Sequence, residues 1–151
     1  MRVFTIRAAL TGALIALAAP ATAQEFSFDP SGGVLDECLG STPDPAGRMA
    51  CIGSAAEDCL RRHGWATPVE SACLNGEAAY WQDRLNFLGY PPELPGAAEA
   101  AAAWDAFVEA DCALAAADDR DTTGYASALA ECRLRQHALR NLQMEESGWS
   151  R

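Results

Sequence analysis

Six cysteines constrain this 151-residue chain more than any other feature: Cys38, Cys51, Cys59, Cys73, Cys112 and Cys132. An even number in so small a chain is the pattern of a disulfide framework, which supplements a limited hydrophobic core. No two of them have the short C-x-x-C-type spacing of common zinc sites, so disulfides are expected and no metal centre is. Oxidised sulfurs also leave no thiolate nucleophile.

The N-terminus agrees with an oxidising compartment. Arg2 and Arg7 precede an apolar run from Ala8 to Ala19, and Ala21-Thr22-Ala23 follows the small-x-small cleavage rule. Residues 1–23 therefore read as a signal peptide cleaved after Ala23. The run is too short for a comfortable membrane span, and no second one follows, so no membrane insertion is expected after cleavage. The expected location is periplasmic or secreted. Cleavage removes two arginines and leaves 9 basic against 21 acidic residues, a net charge of −12. The chain has no lysine. Nucleic acid and anionic membrane surfaces are poor partners for such a surface, whereas a cationic protein would be attracted to it.

Periodicity predicts an all-α fold, a small disulfide-stapled bundle of about four helices arranged as antiparallel hairpins. The Pro-, Gly- and Ser-rich stretch 24–45 reads as an irregular segment, 46–146 as the helical domain and 147–151 as a tail. The first helix is expected over 46–61, opened by Asp44-Pro45, weakened by Gly47 and Gly53, and closed by Arg61-Arg62-His63 before Gly64. A second spans 67–88, with Thr67 as cap, Pro68 at the first position and Glu70 completing a capping box. Its stripe is Leu74, Ala78, Trp81, Leu85 and Leu88, with Cys73, Tyr80 and Phe87 beside it. The third covers 96–117. The fourth covers 123–145, with Arg133, Arg135 and Arg140 as its solvated side.

Helix geometry narrows the cysteine pairing. Cys51 and Cys59 lie about 12 Å apart along one helix, beyond the roughly 7 Å Cα separation that a disulfide spans. Cys59 and Cys73 flank one inter-helix turn, and Cys112 and Cys132 flank the acidic loop 118–124. Cys38 is left for Cys51.

No catalytic constellation emerges. His63 and His137 read as surface or dipole-capping residues, and neither a nucleophile elbow, a phosphate loop nor an H-E-x-x-H pair is present. Asp118, Asp119 and Asp121 lack the calcium-loop spacing. No cofactor is expected, and the chain reads as a binding protein, not an enzyme. Trp65, in a turn, and Pro91-Pro92 are the candidate partner-binding elements. Asp83 and Asn86, one turn apart in Trp81-Gln82-Asp83-Arg84-Leu85-Asn86, are expected to satisfy indole or backbone donors and set helix register.

Several motifs are shared with a known family. Cys59 and Cys73 are followed by Trp81-x-Asp83-x-Leu85-Asn86-x₃-Tyr90, then Trp104-x₂-Phe107, Cys112 and Cys132. Over residues 38–142 the chain resembles the LprI-type lysozyme-inhibitor family of small exported bacterial domains. The resemblance implies a disulfide-linked helical domain of the cell envelope that binds a cationic lysozyme stoichiometrically. Some members have no assigned function, and a non-inhibitory envelope interaction domain is the alternative. Where the family often carries Gln-Arg before its tryptophan, this chain has Ala101 and Ala102; Val108 and Pro91-Pro92 are further departures.

Overall fold

The computed structural model describes residues 33–91 and 93–148. The expected signal peptide at 1–23 with its expected cleavage point after Ala23, Pro92 and the end of the tail, 149–151, lie outside the described residues. Among those described there are six α-helices, one short 3₁₀ turn and no strand. They are α1 (Val34–Ser41), α2 (Pro45–Ala50), α3 (Ser54–His63), α4 (Thr67–Leu88), α5 (Ala97–Ala115) and α6 (Tyr125–Glu146). No helix is long and apolar enough to cross a membrane.

Three disulfides tie consecutive elements. Cys38–Cys51 fastens α1 to the end of α2, Cys59–Cys73 joins α3 to α4, and Cys112–Cys132 joins α5 to α6. The contacts Ala56–Glu77 and Cys59–Cys73 run in opposite directions along α3 and α4, which makes them an antiparallel hairpin. Trp104–Arg140 and Cys112–Cys132 do the same for α5 and α6. The two hairpins meet through α4 and α6, which pack along each other. Trp81 faces Asn141 and Arg84 faces Glu145, so these two helices run parallel. Leu35 and Leu39 of α1, Cys59 and Leu60 of α3, Ala78 and Trp81 of α4, and Leu134, Ala138 and Leu142 of α6 form one core.

The structure departs from the sequence expectation in four local respects. First, the segment expected to be irregular contains α1, whose Leu35 and Leu39 are buried. Tyr80 donates to Asp36 across this contact, and burial together with that carboxylate pushes the phenol upward. Second, the single helix expected over 46–61 is two helices. Gly53 adopts φ 94°, a left-handed conformation that glycine enters without a side-chain penalty. Its freed N–H donates to Glu77 Oε1 at 2.7 Å, and the Ala56 N–H donates to Glu77 Oε2 at 2.8 Å. Glu77 thus caps α3 from another helix and satisfies donors that a helix start otherwise leaves open. Third, the expected cap of α4 is not used. Ala66 is its cap, Thr67 is inside it, and no side-chain capping bond forms. Fourth, the expected stripe of α4 is buried at Ala78, Trp81, Leu85 and Leu88, but Glu77 beside it is fully buried too, whereas Phe87, also expected beside it, is 76% exposed.

Candidate functional site

The Asp83–Asn86 pair does not have the structural role expected of it. Both residues are exposed. The buried polar centre is instead Glu77 with Asn141, each fully shielded from solvent. The Trp81 indole donates to Glu77 Oε1 at 3.1 Å, one helical turn away. Asn141 Nδ2 donates to the Trp81 carbonyl at 3.3 Å, and Arg84 Nε donates to Asn141 Oδ1 at 3.1 Å. Arg84 continues to Glu145, which also pairs with Arg48, so α2, α4 and α6 share one polar chain. The register-setting role therefore lies six residues before Asp83, at Glu77, and across on α6. The sequence signal was present: Cys73, Glu77, Trp81 and Leu85 fall on one face at four-residue steps, with a lone acid among apolar groups. Asp83→Ala is accordingly expected to change stability by less than about 0.5 kcal/mol, as for other exposed positions without partners. Urea denaturation checks this.

The motif residues gather elsewhere. The end of α4, the first half of α5 and the C-terminal part of α6 border a cleft of about 280 Å³. Leu85, Asn86 and Tyr90 border it from one side, Ala97, Ala101 and Trp104 from another, and Arg140 and Met144 from α6. Arg140 was expected on a solvated face. It is half-buried, donates from Nη2 to the Tyr90 hydroxyl at 2.7 Å, and lies 5.3 Å from the Trp104 ring centroid and 5.8 Å from that of Tyr90. These are cation–π distances, and the aromatic rings replace a counterion as its immediate neighbours. Trp104 also stacks obliquely on Phe107, with ring centroids 5.5 Å apart. Phe107 itself is 49% exposed, so this ring pair forms a surface platform.

Of the other arginines expected to be solvated, Arg133 pairs with Glu109 at 2.5 Å, and only Arg135 matches the expectation fully. The two elements expected to bind a partner are not brought together. Trp65 is 67% exposed before α4, whereas Pro91 is half-buried after it. The 22 residues of α4 separate them, a span of about 33 Å. Pro91 adjoins the cleft residue Tyr90; Trp65 stands at the far end of the hairpin.

His137 is buried on α6, not at the surface, and its Nδ1 has no hydrogen-bond partner among the described residues. It borders a smaller cavity with Gln82, Asp105 and Glu109. Burial pushes its pKa below the ordinary value; Asp105 and Glu109 oppose this, and Arg133 adds to it. The unfolded chain therefore takes up a proton near pH 6.5 that the folded protein accepts only at lower pH. Stability is lost as pH falls through that value. The denaturation midpoint is expected to drop between pH 7.5 and 5.5, and His137→Gln is expected to lessen the drop. An identical drop in both proteins would contradict the assignment.

Asp111, Cys112 and Cys132 form one tight group of metal-ligand types among the described residues. Its two sulfurs are joined in the disulfide, and Asp111 accepts from Gln136 at 2.7 Å, so the group holds two helices together. Comparisons of the chain with family models, curated proteins and solved structures found no match.

Proposed function

We propose that this chain is an exported protein of the cell envelope that binds a cationic lysozyme stoichiometrically and acts by obstruction, not by catalysis. The observation that carries this reading is the convergence of the two motifs behind the LprI-type resemblance. Leu85, Asn86 and Tyr90 of one, and Trp104 of the other, border a single cleft although 14 residues separate Tyr90 from Trp104. Surface charge supports the choice of partner. The chain carries a net charge of −10, and complementary charge raises encounter rates with a basic protein. The three disulfides suit an oxidising compartment.

A second reading is a non-inhibitory interaction domain. It is favoured by Ala101, which borders the cleft close to where the resembled family often carries polar side chains. Calorimetric titration of lysozymes at low salt tests the first reading. Association that weakens as salt rises is expected. No association with any lysozyme class would overturn it, and association without slower cell-wall lysis would favour the second.

A further inference from the structure

The half-buried arginines of this protein divide unequally. Arg48 and Arg84 share Glu145, and Arg133 pairs with Glu109. Arg140 has no carboxylate partner among the described residues and makes one hydrogen bond, to Tyr90. A guanidinium has five N–H donors, so most of its donor capacity is uncommitted. It borders a cleft whose other walls are largely apolar, including Leu85, Ala97, Ala101 and Met144. Trp104 lines the same cleft, its ring beside the guanidinium. A partly desolvated cation with uncommitted donors beside apolar surface leaves a polar need that an anionic group meets.

We propose that this cleft is a binding site for a small monocarboxylate with an apolar body. The carboxylate pairs with Arg140; the apolar body covers the alanines of α5 and Leu85 and Met144. The cleft volume of about 280 Å³ lies near the lower end of ligand pockets, which suits a short chain and not a large cofactor. Asp105, exposed at the edge of the cleft, disfavours a second negative charge and so selects a monoanion. Two sources supply this chemistry: a free acyl acid and the C-terminus of a peptide. The site is independent of the lysozyme reading, because its test contains no lysozyme.

The experiment is calorimetric titration of the purified, disulfide-intact protein with octanoate, octanol, octylammonium, suberate and N-acetyl-leucyl-leucine. Octanoate or the peptide is expected to bind at least about tenfold tighter than octanol, octylammonium or suberate, as a charge-assisted pair demands. Whichever of the two binds more tightly identifies the source. Arg140→Gln is expected to remove at least about tenfold of that affinity, and Asp105→Asn to raise it and to let suberate bind. Because Arg140 also supports Tyr90 and Trp104, Ala101→Trp provides a second arm: it fills the cleft from an exposed position and leaves Arg140 in place. With an unchanged melting curve, it is expected to abolish binding. Equal affinity for octanoate and octanol, undiminished binding by Ala101→Trp, or no binding by either carboxylate would overturn the proposal.

Discussion

Replacing Glu77 with alanine is expected to lower the unfolding free energy by about 3–5 kcal/mol, the largest effect of any single substitution outside the apolar core. Three donors depend on this side chain: the N–H groups of Gly53 and Ala56 and the indole of Trp81. Deleting it leaves all three without their acceptor and opens a void beside Trp81, which is itself fully buried. In a chain of this size the melting temperature should fall by more than about 10 °C. Glu77→Gln preserves the volume but puts an amide nitrogen where an oxygen accepted, so an intermediate loss is expected. A fall of less than about 1 kcal/mol for Glu77→Ala would mean that α3 is held by Cys59–Cys73 alone. Chemical denaturation with intact disulfides distinguishes these results.

Replacing Cys112 and Cys132 together with alanine is expected to cost about 3 kcal/mol, the chain-entropy value for a closed loop of this length. The bridge spans 20 residues and anchors α5, which packs chiefly against α6. The loss should be local as well as global. Val108, Cys112 and Ala97 are the buried residues of α5, and only the first two lie in its C-terminal half. Without the bridge, amide exchange in α5 is expected to accelerate more than in α4, whose Trp81 and Glu77 contacts remain. Uniform acceleration across both helices would show that α5 is not a separately opening unit.

The legible parts of this fold were those governed by local chemistry. Asp44-Pro45 opens α2 as its residue types dictate, with Asp44 accepting from the Gly47 N–H at 2.9 Å. Arg61, Arg62 and His63 close α3 before Gly64, whose φ is 94°. Cysteine spacing selects the three observed bridges because a disulfide tolerates so little separation between its ends. What could not be read locally was decided by residues distant in sequence. The break at Gly53 depends on Glu77, 24 positions away. The helix at Val34–Ser41 stands in a stretch rich in turn formers and is held by Cys38–Cys51 and by the burial of Leu35 and Leu39.

The candidate site was harder to read because α4 has apolar residues around much of its circumference. One residue of rotation moves a side chain by about 100°. The buried stripe through Trp81 and Leu85 takes in Glu77, while Asp83, Asn86 and Phe87, one or two positions from it in sequence, face solvent. Arg140 was misread for a related reason. Its neighbours Arg133 and Arg135 suggest a solvated strip, yet the approach of α5 places Trp104 over its guanidinium. The motif residues Leu85, Asn86, Tyr90 and Trp104 were identifiable individually, but their convergence on one cleft follows from the packing of three helices.

Cell-wall lysis followed by turbidity, with the purified protein titrated into a fixed amount of cationic lysozyme, tests the proposed function most directly. The account predicts that lysis slows in proportion to added protein and levels off near one protein per lysozyme, with less effect at high salt. Undiminished lysis at micromolar excess over every lysozyme class tried, under low-salt conditions, would contradict it.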